Sequence, residues 1–357
     1  MLLKRKQTKR PENIAPRSEY RMNIEHVTFD PPTISTRAVH TIQNNKTEAP
    51  SYNLGVPALS DYVMSRKNKV NGLIADTSQC KTTFLSYLAR HTATQLDVEA
   101  GEVGMFITWE DTIEDFGISD IAYYSKIPLA SLYHGDVKEH EYKRMLKAAT
   151  DRASTPLWLV GQSEAFTQAQ PRMTMTDVFA AVDYVENVQK RKVKFIMLDY
   201  LQRISRDDIT NERDTRMKFS AVMDKVKDLT LGYHTDTWIG TQVGRDKVER
   251  SKWRQPQIHW AMETANFEHT CDGAISLWLV HKSKDVWNMG DCLQEKQGVD
   301  GQAIFVRKET LLVEILKQKK ADTGQVRAVD FVPEYNMFVP YNTADEVRAK
   351  IQRGENV

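Results

Sequence analysis

The run Val193-Lys194-Phe195-Ile196-Met197-Leu198-Asp199-Tyr200 constrains the fold more than any other stretch of the chain. It is nearly continuous in apolar residues and lacks the in–out alternation of a strand with one face in water. A strand of this kind is covered on both faces, as in the middle of a parallel sheet flanked by helices. Further strand-like runs recur at 70–75, 102–109, 156–160, 236–242, 273–280, 310–318 and 325–332. Helix-like stretches lie between the earlier ones, at 82–96, 121–127, 139–150 and 178–191, with Thr176-Asp177 placed to cap the last. Buried strands alternating with helices predict an α/β fold, a mostly parallel sheet with helices on both faces.

The organisation expected is a basic polar tail and linker over 1–50, one large domain over 51–340 and a C-terminal tail over 341–357. The first 21 residues carry Lys4, Arg5, Lys6, Lys9, Arg10, Arg17 and Arg21 against Glu12 and Glu19. Such a tail is a solvated arm, a docking arm for a neighbouring subunit or an electrostatic contact to nucleic acid. Pro31-Pro32 and residues 41–51 read as linker. A net charge of +1 excludes a polycation, so any nucleic-acid site must be a local basic patch. Cys80, Cys271 and Cys292 form no C-x-x-C pair, which argues against a zinc site or disulfide framework and fits a reducing, cytoplasmic compartment. No run of about 18 apolar residues is present, so no membrane span is expected. The N-terminus has no apolar segment behind its charges and does not read as a secretory signal.

The chemistry concentrates at strand ends. Ala75-Asp76-Thr77-Ser78-Gln79-Cys80-Lys81-Thr82 sits between a strand and a helix, the position of a phosphate loop, where backbone N–H groups and a helix N-terminus face an anion. Lys81 would reach the β- and γ-phosphates of ATP, with Ser78, Gln79, Cys80 and Thr83 around it, and the Thr82 hydroxyl would bind Mg²⁺. Read alone this is a weak signal, because the strict pattern has glycine where Ala75 and Cys80 stand, and Lys-Thr after a strand is usually a plain helix start. Three further strand ends supply context. Asp199 ends the apolar run, where a second acidic residue would hold the Mg²⁺ water shell. Glu110 follows the strand at 102–109 and could orient or deprotonate a water, and Gln242 ends the strand at 236–242 and could sense a γ-phosphate. Ligands of open α/β sheets bind at the carboxyl ends of strands, so four such ends in one order reinforce one another.

With these residues in place, the chain resembles the RecA-like motor domain of the DnaB-type replicative helicases, a P-loop NTPase core. Asp199-Tyr200-Leu201-Gln202 is similar to that family's Walker B segment, and residues 54–62 to the segment ahead of its first strand. In that family the phosphate loop commonly begins with alanine, so Ala75 is no departure. Residues 156–160, 241–245, 263–272 and 316–324 resemble, in order, the strand before Walker B, the glutamine sensor with its basic loop, the lead into the next strand, and the trans-acting finger segment. The likeness runs from about 52 to 338. It implies a homo-oligomer, a hexameric ring or a filament, with ATP between subunits and single-stranded DNA as a partner, together with other replication or mobile-element proteins. By carry-over, Lys81, Thr82 and Asp199 would bind Mg-ATP, Glu110 would be the catalytic base, Gln242 the γ-phosphate sensor, and Lys317 and Lys319 would act on a neighbour's nucleotide.

Departures from the pattern matter as much. Cys80 replaces the glycine before the phosphate-loop lysine, where a β-carbon and sulfur could crowd the β-phosphate. Lys319 stands in place of the finger arginine and brings a point charge without the planar fork. Met262 and Ala265 replace an arginine and a glycine of the DNA loop. Arg203, Arg206, Arg213, Arg245, Lys247, Arg250 and Glu263 are the candidate DNA contacts, the basic ones set against the balancing acids Asp207, Asp208, Asp246 and Glu249. Residues 281–302 read as a polar insertion, a surface hairpin or partner contact. Two functional readings follow. One is an ATP-dependent single-stranded DNA translocase or helicase. The other is an assembly subunit with this fold, nucleotide-binding or nucleotide-independent, with weak or no hydrolysis. A recombinase- or KaiC-like relative is a third.

Overall fold

The structure, a computed structural model, describes residues 30–47, 51–165, 172–209, 214–244, 255–261, 265–282, 296–297, 303–319, 321–324 and 326–355. The chain divides into two compact units, Met1–Pro50 and Ser51–Val357. The first carries helix α1, Pro31–Thr47, where the sequence reads as linker. The prolines do not prevent it, because in a first turn the missing N–H has no intrahelical partner to lose. Asp30 Oδ1 takes the Thr33 N–H at 2.9 Å and closes that turn.

The second unit is built on a nine-stranded sheet. Its early strands are β1 (Lys69–Ala75), β2 (Glu102–Thr108), β3 (Leu157–Val160), β4 (Lys192–Asp199), β5 (Asp236–Gln242) and β6 (Gly273–Leu279). They are parallel and stand in the order β6-β1-β5-β4-β2-β3. Strand β7 (Lys296–Gln297) falls in the expected insertion, most of which lies outside the described residues, and pairs antiparallel with β8 (Ala303–Ile304) just after it. Strands β9 (Thr310–Gln318), β10 (Val326–Val332) and β11 (Met337–Pro340) then extend the sheet beyond β6 by antiparallel pairing. The mostly parallel α/β architecture agrees with the sequence reading.

The central apolar run explains itself in the packing. Phe195 and Met197 of β4 join the core on one face, with Phe84, Leu85 and Leu88 of α2 (Lys81–Ala93). Ile196 and Leu198 join the core on the other, with Val178 and Val182 of α6 (Met175–Asp183) and Val222, Val226 and Leu229 of α7 (Thr215–Gly232). Alternate side chains of one strand thus fill two separate apolar layers, so every position from Phe195 to Leu198 is apolar.

Helices α3 (Ile113–Ser125), α4 (Leu129–His134) and α5 (Glu139–Ser154) connect β2 to β3. The cap of α6 is Thr174, not the expected Thr176-Asp177 pair. Its hydroxyl accepts from Asp177 N–H, and Asp177 Oδ2 accepts the Thr174 N–H at 2.7 Å, a reciprocal capping box. Helix α8 (Ala265–Thr270) precedes β6. The stretch expected as a C-terminal tail carries helix α9 (Ala344–Gln352), whose Val347 and Ile351 pack with Val332, Met337 and Val339. Asp330 Oδ2 accepts the N–H groups of Thr343 and Ala344 at 3.0 and 3.2 Å, fixing the start of that helix.

Candidate functional site

The order β1-β5-β4-β2 places four of the sequence-predicted strand ends side by side. Ala75 pairs with Gln242, and Thr108 pairs with Asp199. The backbone continues the alignment, with Trp109 N–H donating to the Asp199 carbonyl at 3.0 Å. The phosphate-loop candidate, the acidic end of β4, the Gln242 end of β5 and the Glu110 turn therefore share one rim of the sheet.

The loop after β1 turns sharply into α2. Ser78 and Cys80 both adopt left-handed backbone, with φ of 62° and 60°, the conformation in which glycine is at ease. The Cys80 sulfur packs against the apolar core on the α2 side, and burial pushes its thiol up to about 12. Relative to glycine, Cys80 holds this left-handed backbone without glycine's conformational ease. Gln79 is buried and its Oε1 accepts the Leu279 N–H at 2.6 Å, so its side chain ties the loop to the end of β6. Ser78 is exposed and Thr83 is half-buried in the first turn of α2.

Lys81 is buried at 7% exposure, with its Nζ 3.5 Å from the centre of the Tyr200 ring. Its stem crosses β5 at Gly240, where a β-carbon would come within 3.1 Å of Lys81 Cδ. Burial lowers the Lys81 pKa, while the charges of Asp199 and Glu110 oppose the shift. Thr82 Oγ1 donates to Asp199 Oδ2 at 2.7 Å. Asp199 is fully buried, and its other oxygen, Oδ1, has no hydrogen-bond partner among the described residues. Burial pushes the Asp199 carboxyl up to about 6, against the opposing pull of Lys81 and of the Thr82 hydrogen bond.

Glu110 is exposed on the turn after β2, its N–H held by the Thr108 hydroxyl at 3.2 Å. Asp111 beside it is raised by burial and by the charges of Glu110 and Asp115. The Gln242 N–H donates to Gln202 Oε1 at 3.2 Å, and Gln202 Nε2 donates to Thr241 Oγ1 at 2.8 Å. Gln202 therefore fixes the end of β5. Tyr200, Gln202 and Gly240 shape the site without having been singled out from the sequence. The Asp199-Tyr200-Leu201-Gln202 string held the first two, while the role of Gly240 depends on a lysine 159 positions away, which no local pattern reveals.

The sequence matches the profile of the DnaB-like helicase C terminal domain over residues 65–340. The chain belongs to this DnaB-like family. Among solved structures, this DnaB-like domain resembles one described as an ATPase domain, with a TM-score of 0.67 and 14% identity, covering 87% of this chain and 99% of that one. It also resembles a DnaB-like replicative helicase described with its interactions with primase, with a TM-score of 0.68 and 14% identity, covering 88% of this chain and 69% of that one. No curated protein matches the sequence.

The remaining expected residues of the DnaB-like domain lie elsewhere. Lys317 and Lys319 sit at the opposite rim, because β9 runs antiparallel to β6 and pairs Gln318 with Gly273 at the start of that strand. A seven-residue strand spans roughly 20 Å, so they cannot approach the chain's own Lys81. Lys317 Nζ donates to the Glu268 carbonyl at 2.5 Å, and Lys319 Nζ to Asp272 Oδ1 at 2.7 Å. Arg203 is exposed on the turn after β4, with Nε donating to the Tyr200 hydroxyl at 3.2 Å. Arg206 lies over the Phe219 ring at 4.4 Å, where it packs against α7. Arg213, Arg245, Lys247, Arg250 and Glu263 lie outside the described residues, as does Met262. No helix among the described residues is long and apolar enough to cross a membrane.

Proposed function

We propose that this DnaB-like domain is an ATP-driven, ring-forming translocase on single-stranded DNA. The observation that carries the reading is the Thr82–Asp199 pair beneath Lys81. A fully buried carboxylate with one oxygen held by a threonine hydroxyl and the other without a partner among the described residues fits a site for a Mg-nucleotide.

In this reading the left-handed loop and the N-terminus of α2 hold the phosphates of ATP, and Lys81 swings from the Tyr200 ring onto the β- and γ-phosphates. Thr82 and Asp199 would hold Mg²⁺, which when bound neutralises the developing phosphate charge. Glu110, exposed on its turn, orients a water for attack on the γ-phosphorus and takes its proton as the bond to the leaving ADP breaks. Gln242, fixed through Gln202, reports the presence of the γ-phosphate. Lys317 and Lys319 act on the nucleotide of a neighbouring copy, a role supported by their position at the far rim. Arg203 and the basic residues Arg206, Arg213, Arg245, Lys247 and Arg250 are the proposed contacts to DNA phosphates, and Glu263 is a further candidate DNA contact. A reducing, cytoplasmic setting and partners among replication or mobile-element proteins belong to the same proposal.

The test is ATP hydrolysis by the purified chain with and without single-stranded DNA, beside Lys81→Ala. DNA-stimulated turnover that the variant loses is the expected result. Turnover that Lys81→Ala retains would rule the site out, and no turnover in the parent would rule out the motor.

A further inference from the structure

A lone lysine is a poor replacement for an arginine finger, because one rotating ammonium lacks the two fixed N–H donors of a guanidinium. Lys319 is not alone. Asp272, at the start of β6, is almost fully buried, and each of its oxygens takes one ammonium. Oδ1 accepts from Lys319 Nζ at 2.7 Å and Oδ2 from Lys227 Nζ of α7 at 2.7 Å. Oδ2 also accepts the Val70 N–H at 3.1 Å, which fastens the carboxylate to β1. Lys69 Nζ lies 3.9 Å from Oδ1. Three ammonium groups around one carboxylate leave this cluster with an excess of two positive charges. The side chains of Lys227 and Lys319 remain 31% and 52% exposed, so both heads can meet an anion from outside. Lys317, the other lysine of the β9 end, donates to the Glu268 carbonyl instead of to Asp272.

We infer that Asp272 clamps Lys227 and Lys319 side by side as a two-ammonium pair that receives the triphosphate of a nucleotide bound by a neighbouring copy of the chain, with Lys227 as the second cation. The inference rests on the reading of Lys319 as a trans-acting group. A carboxylate that fixes two lysines from different elements supplies two donors at a set spacing, which is what the guanidinium fork offers in one residue. Burial would push the Asp272 carboxyl up, but the hydrogen bonds from Lys227, Lys319 and Val70 bring it down to about 2, so the clamp stays charged at neutral pH. The anion must come from another copy, since the chain's own phosphate loop lies a full strand length away.

The experiment is steady-state ATP hydrolysis by the full chain and by Lys319→Ala, Lys227→Ala, Lys227→Met and Lys227→Arg, with thermal melting of each. Lys227→Met keeps the apolar stem if the alanine variant folds poorly. Lys227→Ala and Lys227→Met are expected to lower kcat by at least about tenfold with KM changed less than about threefold, while Lys227→Arg retains most turnover. Mixing Lys227→Ala with Lys81→Ala is expected to restore part of the hydrolysis, because a mixed interface joins an intact Lys81 to an intact Lys227. A normal kcat in both Lys227→Ala and Lys227→Met beside an impaired Lys319→Ala overturns the inference alone. So does a mixture that fails to recover activity when the corresponding Lys319→Ala mixture does. A normal rate in Lys319→Ala, or no hydrolysis in the parent, overturns the trans-acting reading and the inference with it.

Discussion

Thr82 and Asp199 are 117 residues apart in sequence, and the Thr82 hydroxyl donates to Asp199 Oδ2 at 2.7 Å. Thr82→Ala leaves a buried carboxylate with neither oxygen satisfied by that hydroxyl, and removes one of two groups proposed to hold Mg²⁺. Mg²⁺-dependent nucleotide affinity is expected to fall at least about tenfold, about 1.4 kcal/mol, with Thr82→Ser close to the parent. Titration calorimetry with and without Mg²⁺ checks this. An equal loss without the metal would reassign Thr82 to packing.

Asp199 should set the acid limit of nucleotide binding. Burial lifts its carboxyl from an ordinary 3.8 to about 6, and a protonated carboxyl no longer attracts a cation. Mg-nucleotide affinity is expected to be flat above about pH 7 and to decline through pH 6, with no such inflection in Asp199→Asn. The sign for stability is the reverse of a salt-bridged aspartate. The folded, nucleotide-free chain binds this proton more tightly than the unfolded chain, so the contribution of Asp199 to stability falls as pH rises from about 4 to 6. A parent binding curve without an inflection near pH 6 would sink the assignment.

Cys80→Gly tests which cost the cysteine carries. Its φ of 60° is left-handed, a cost of roughly 1–2 kcal/mol for a residue with a β-carbon. Glycine relieves it but loses the sulfur packing and gains freedom when unfolded. Unfolding free energy is expected to change by less than about 1 kcal/mol, and nucleotide affinity by less than about threefold. Tightening of tenfold or more would mean that the sulfur faces the phosphates after all.

The largest single loss of stability is expected at Asp120, far from the site. It is fully buried on α3 and meets Arg90 of α2 at 2.6 Å and Arg152 of α5 through its other oxygen. Asp120→Asn leaves two arginines without their counter-charge, a cost of about 3–5 kcal/mol, seen as a fall in melting temperature of roughly 10 °C. A shift under about 3 °C would show that the arginines find other partners.

The β1–loop–α2 unit, the β4 run ending in Asp199 and the strand ending in Gln242 were legible because each is a local pattern, a period or an ending. Helix α7 was not named in advance, because its polar and basic start continues the charged stretch after β4. Helix α1 was hidden by its prolines, and α9 by its position at the end of the chain.

The sequence by itself determined the α/β class, the place of β4 as an interior strand covered on both faces and the set of strand ends that carry polar residues. These follow from hydrophobic period and chain order, which act over a few residues. Only the tertiary structure decided that β1, β5, β4 and β2 are neighbours, that the Cys80 sulfur turns toward the core, that Lys81 lies over Gly240 and Tyr200, and that Lys227 shares Asp272 with Lys319. Those contacts join residues that are far apart along the chain, and their geometry is fixed by strand order, register and the filling of two apolar layers, none of which leaves a local mark.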